Sequence, residues 1–165
     1  MTNDELSEIW TKFKTIYGTY SGPFPRYCAS DIMWNEHDVV FRLGHVIEQK
    51  IKDIKGKGNL HIDPTIWFPS GYRQPDLGIT EMSTIIEGDQ IEWQWAIEVK
   101  CVHFRSPSHI YGPKNVRSDI LKLETLLATN LVKNAAMIVI DVSGETAPPT
   151  PDYKRDPVLV LEHYM

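Results

Sequence analysis

Residues 90–103, QIEWQWAIEVKCVH, constrain the fold more than any other stretch of the chain. Ile91, Trp93, Trp95, Ile97 and Val99 share one parity, and Glu92, Gln94, Ala96, Glu98 and Lys100 share the other. Successive side chains of a strand point to opposite faces, so the pattern predicts a strand with one apolar and one polar face. It also sets Glu98 and Lys100 on the same face, two residues apart.

The neighbouring segments supply what such a strand needs for burial. A helix is expected over residues 3–17, with Asn3 as its N-cap and Leu6, Ile9, Trp10 and Phe13 at helical spacing. Two Gly and two Pro in GTYSGPFPRYCAS break it. A second helix, from about Asn35 to Ile54, carries the stripe Val40, Leu43, Ile47, Ile51 and Ile54. Three strands are expected next: NLHIDPTIWF, then Asp76 to about Ile86, then Gln90 to about His103. The last two would be joined as a hairpin through EGDQ. A third helix spans about Val116 to Asn130, AAMIVIDVS reads as a buried strand, and VLVLEHY reads as a short final strand. The pattern predicts an α/β fold with a mixed central sheet flanked by helices, in one domain over residues 1–165.

Composition narrows the class. At 42% apolar and 24% charged residues, neither disorder nor a membrane protein is indicated. No apolar run approaches the roughly 20 residues that span a bilayer, and MTNDELSEIW is acidic rather than signal-like, so a cytoplasmic location is expected. Cys28 and Cys101 have no metal-ligand spacing. The net charge of −5 argues against a general nucleic-acid coat. Yet Val99 to Ser118 contains no Asp or Glu and holds Lys100, Arg105, Lys114 and Arg117.

In QPDLGIT, residues 74–80, Asp76 opens the second strand of the expected hairpin. A turn centred near Gly88 and Asp89 leaves it about three residues from the position facing Glu98, and a bulge or another turn would bring the two closer. Adjacent carboxylates repel unless a cation separates them or one is protonated. Mg²⁺, which prefers carboxylate and water oxygens, is the natural solution. With Lys100 beside it, such a site suits hydrolysis of a phosphodiester.

These residues, Pro75-Asp76 followed by Glu98-Val99-Lys100, resemble the Pro-Asp…Asp/Glu-x-Lys signature of the restriction-endonuclease-like, PD-(D/E)XK nuclease superfamily. That superfamily's αβββαβ core is similar to the expected order over about residues 34–143, with the first helix as an N-terminal addition. The resemblance implies a DNA endonuclease of restriction or phage-defence type that uses Mg²⁺, with Mn²⁺ as a substitute. It further implies that Asp76, Glu98 and the Val99 carbonyl hold the metal and that Lys100 assists the nucleophile. EQK at 48–50 and DIK at 53–55 also match the tripeptide, but they fall on a helix, where residues i and i+2 diverge.

Glu36 points inward with the stripe of the second helix, and the resemblance makes it a further metal-site acid; attraction to the helix N-terminus explains it equally well. Asp119 and Lys122 either face the site or form a surface ion pair. Arg105, His109, Lys114 and Arg117 are the candidate phosphate contacts. Two other readings stay open: a binding or assembly protein that does not cut, and a nuclease acting on RNA or branched DNA. Oligomeric state is open as well, a homodimer included.

Overall fold

A computed structural model describes residues 1–18, 36–53, 58–81, 91–102, 113–141 and 158–164. Its elements are α1 (Asn3–Phe13), a π turn (Lys14–Gly18), α2 (Glu36–Asp53), β1 (Asn59–Ile62), β2 (Ile66–Phe68), β3 (Gly71–Arg73), β4 (Leu77–Thr80), β5 (Trp93–Val102), α3 (Pro113–Ala128), β6 (Val132–Asp141) and β7 (Leu159–Tyr164). Five strands form a mixed sheet in the order β1-β4-β5-β6-β7, while β2 and β3 form a separate ribbon. The β1–β4 and β4–β5 pairs are antiparallel, and the β5–β6 and β6–β7 pairs are parallel. No described helix is long and apolar enough to cross a membrane.

Helices cover both faces. α1 contributes Leu6, Ile9, Trp10 and Phe13, and α2 contributes Val39, Val40, Leu43, Val46, Ile47 and Ile51; both pack on Leu77, Ile79, Trp95, Ile97, Val99, Ala136, Ile138 and Ile140. The opposite face sets Val116, Ile120, Leu123 and Leu126 of α3 against Trp93, Ala96, Ala135, Met137 and Val139. β5 lies between β4 and β6, with Trp95, Ile97 and Val99 on the α1–α2 side and Trp93 and Ala96 on the α3 side.

Four local expectations are corrected. The N-cap of α1 is Thr2 rather than Asn3, because Thr2 completes a capping box. Its Oγ1 accepts from the Glu5 N–H at 3.2 Å, and its own N–H donates to Glu5 Oε2 at 2.6 Å. α3 begins at Pro113, whose missing N–H and fixed φ suit the first helical position.

The strand expected over 59–68 is two strands. Asp63, at φ 48°, breaks it just before Pro64, and the chain leaves the sheet into the β2–β3 ribbon.

Trp93 and Trp95 do not share a face. Thr80 pairs with Trp93 and Ile79 with Trp95, so Gln94 is an extra residue bulged from β5. Trp93 therefore turns to the α3 side, where its indole lies over Gly78; a Cβ there would meet the ring at 2.5 Å. Trp95 is fully buried on the other side and donates from Nε1 to the Met1 carbonyl at 2.9 Å.

Candidate active site

The bulge at Gln94 sets the register of the two acids. Beyond it Gly78 pairs with Ala96 and Leu77 with Ile97, so the next position outward places Asp76 opposite Glu98. Without the extra residue, counting from the Thr80–Trp93 pair would put Pro75 there. The observed register removes the three-residue offset that a turn at Gly88–Asp89 implies.

Asp76 is pinned from two sides. Its carbonyl accepts from the Asp63 N–H at 3.0 Å, and its Oδ2 accepts from the Val99 N–H at 2.6 Å. The side chain thereby takes the place of the next backbone rung, where β4 has ended. The N–H and C=O of one strand residue point to the same neighbour, so the Val99 carbonyl is also directed to the Asp76 side.

Four acids and two lysines meet here. Lys100 Nζ lies 3.3 Å from Glu36 Oε1, at the first residue of α2, and 3.3 Å from Asp119 Oδ2 on α3. Lys122 Nζ, one turn along α3 from Asp119, contacts Glu98 Oε1 and lies 3.6 Å from Asp119 Oδ1. It also donates to the Gln74 carbonyl at 3.4 Å. Asp119 and Lys122 thus form the i,i+3 pair and face the site at once.

Burial dominates the electrostatics. Glu98 is 3% exposed, and its carboxyl is pushed up to about 8, first by desolvation and then by the charge of Asp76, against the pull of Lys122. Asp76 is raised by burial, with Glu36 adding to the rise, while the Val99 N–H and both lysines oppose it. Burial works to lower Lys100, but Glu36 and Asp119 outweigh it and leave the ammonium raised. Lys100 is therefore a cation at neutral pH.

Among the described residues, no group of three or more His, Cys, Asp or Glu side chains is arranged to hold a metal ion. The donor chemistry nevertheless suits one. Two carboxylates and a backbone carbonyl are hard oxygen donors, and Glu98 Oε1 is buried without a hydrogen-bond partner. Among the described residues, its one close compensating charge is the Lys122 ammonium. A hard divalent cation would fit where that ammonium now compensates the carboxylate.

The structure brings together Glu36, Asp76, Glu98, Val99 and Lys100 from the sequence-based set. Arg105 and His109 lie outside the described residues, as does the side chain of Lys114 on the first turn of α3. Arg117 is exposed and stands about 160° around the helix axis from Asp119, on the flank away from the cluster. Sequence reasoning left Asp119 and Lys122 undecided. The available signal was their position beside the Ile120–Leu123 stripe, on the flank that meets a packed neighbour. The chain matches no protein-family model, no curated protein and no solved structure.

Proposed function

We propose that the chain is a divalent-cation-dependent deoxyribonuclease that hydrolyses internal phosphodiester bonds, of restriction or phage-defence type and built on a restriction-endonuclease-like core. One observation carries this reading: Asp76 and Glu98 face each other across β4 and β5, with Lys100 two residues beyond Glu98 on the same face. The order α2-β1-β4-β5-α3-β6 supports it, since it parallels the αβββαβ core that the motif resemblance implies.

Asp76, Glu98 and the Val99 carbonyl would hold Mg²⁺ or Mn²⁺, with Glu36 as a further acid near Lys100. When bound, such a cation supplies a Lewis acid for the phosphoryl oxygen and for the attacking water. The protein's own part is positional and electrostatic. Glu98, protonated or ion-paired in the cation-free chain, gives up that compensation when a divalent charge takes its place. Lys100 stays charged beside Glu36 and Asp119. It therefore acts by orienting water and by stabilising the extra negative charge on the phosphoryl oxygens as the P–O bond breaks, not by removing a proton.

Incubation with linear, supercoiled and single-stranded DNA and with RNA, each with Mg²⁺, Mn²⁺ or EDTA, tests the reading. Cation-dependent cleavage of DNA is expected. Asp76→Ala, Glu98→Ala and Lys100→Ala should each abolish it in a folded protein, because residues acting as a unit fail together. Normal cutting by Glu98→Ala refutes the assignment.

The second reading, a protein that binds nucleic acid or assembles without cutting, has one observation in its favour. Both lysines lie within ion-pair distance of the acids and can compensate them without a cation. Calorimetric titration with Mg²⁺ separates the two readings: heat lost in Asp76→Ala supports the nuclease, and no heat in the wild type supports the scaffold.

A further inference from the structure

The β2–β3 ribbon lies between β1 and β4 in the chain, immediately ahead of Asp76, and its two faces are unequal. Ile66 is 1% exposed and joins the α3-side core, with Phe68 packed beside it. The outward face carries Trp67 and Tyr72, which are direct cross-strand partners with ring centroids 5.1 Å apart. They are 66% and 49% exposed, so the pair leaves large aromatic surfaces in water. A cross-strand aromatic contact helps to hold so short a ribbon together, but the outer surfaces of these rings contribute nothing to that contact.

The aromatic pair adjoins a charged groove. An open cavity of about 500 Å³ is lined by Gly71, Tyr72, Arg73, Gln74 and Lys122. Arg73 sits with its guanidinium 5.4 Å from the Phe68 ring centroid and donates from Nη1 to the Tyr72 carbonyl at 2.9 Å. Lys122 closes the other end, where it contacts Glu98. The cavity thus extends from the edge of Tyr72, past Arg73, to Lys122, whose ammonium contacts Glu98.

We infer that the β2–β3 ribbon is a stacking platform for an unpaired base of a DNA strand, whose backbone follows the groove past Arg73 toward Glu98. Every base has a π face that an exposed aromatic ring can accept, and paired bases within a duplex do not offer it. Arg73 supplies the charge complementary to a phosphate, since Lys122 is already engaged by Glu98 and Asp119. The identity of the occupant rests on the proposed nuclease reading. The site's preference is then for single-stranded, gapped or frayed DNA.

The test uses the full chain in EDTA, with fluorescein-labelled 12-mers of single-stranded DNA, blunt duplex DNA and single-stranded RNA followed by anisotropy. Trp67→Thr combined with Tyr72→Thr keeps strand-compatible residues and should weaken single-strand binding about 10- to 100-fold. It should leave duplex binding and the salt slope unchanged. Arg73→Gln should instead reduce that slope by about 0.7. Trp67→Phe should retain single-strand affinity while removing the tryptophan quenching that oligo-dT causes in the wild type; this variant decides the matter if the double variant does not fold. Unaltered single-strand binding in the double variant, quenching that persists in Trp67→Phe, or binding confined to duplex DNA or to RNA would overturn the inference. Quenching at Trp67 by a wild type that cuts nothing with Mg²⁺ or Mn²⁺ would keep this site and remove the nuclease reading. Cutting of single-stranded or gapped DNA that is indifferent to both aromatic changes would do the reverse.

Discussion

The two faces of β5 obey opposite rules within the same few residues. Trp95, Ile97 and Val99 are fully buried against α1 and α2 in an all-apolar environment. Ala96, Glu98 and Lys100 face α3, where a nearly buried acid is surrounded by charges of both signs. The first face gains stability from every atom it hides. The second holds groups that burial disfavours, and its cohesion depends on the match between acids and lysines. A strand can therefore serve as apolar core on one side and as a charged surface on the other.

The apolar face should give the largest stability effect. Ile97→Ala leaves a cavity beneath α2 and is expected to cost about 2–5 kcal/mol, measured by urea unfolding. A cost below about 1 kcal/mol would mean that the two faces differ less than their burial implies.

The charged face should show its character through pH. Glu98 rises from the ordinary 4.5 to about 8 on folding, so between those values the folded chain holds a proton that the unfolded chain has lost. Stability should therefore be greatest at the acidic end of this window and fall as pH climbs through it, by on the order of 1–3 kcal/mol in EDTA. Asp76, also raised, adds a slope of the same sign. Lys100, raised as a cation, keeps its contribution throughout and loses it only above its ordinary range. Glu98→Gln should flatten the curve and stabilise the protein near pH 8. A slope that survives the change would assign the effect to Asp76.

The smallest stability effect is expected where the two faces meet. Glu36 begins α2, which packs on the apolar side, yet its carboxylate reaches Lys100 on the other. Glu36→Gln should cost at most about 1 kcal/mol while strongly reducing any cleavage rate. A wild-type rate would leave Glu36 as a helix-terminus acid alone.

Much of this division was legible in the sequence, because period-2 alternation reports faces directly. Glu98 and Lys100 could be assigned to one face from residues 96–100, and the stripe of α2 needed only helical spacing. The register was not legible. It depends on one extra residue at Gln94, and nothing local distinguishes a bulged glutamine from a paired one. The same residue reversed Trp93, which parity alone had grouped with Trp95. Pro64 reads as an edge or bulge within one strand, because NLHI and TIWF on either side of Asp63-Pro64 both have strand character. Trp67 and Tyr72 went unnoticed because an exposed aromatic pair carries the same letters as a buried one. The roles of Asp119 and Lys122 required knowing which face α3 covers.

That last point follows from the parallel pairing of β5 with β6. Two parallel neighbours need a crossover, and crossovers built from L-amino acids wind right-handed in about 98% of cases. Handedness, rather than any side-chain preference, selects the side of the sheet on which the connecting helix lands. With the opposite winding, Asp119 and Lys122 would lie over Trp95 and Ile97, and Glu98 would lose its contact with the Lys122 ammonium. The location of the charged cluster is thus inherited from the chirality of the backbone. Substitutions can alter what this site does, but they cannot move it to the other face.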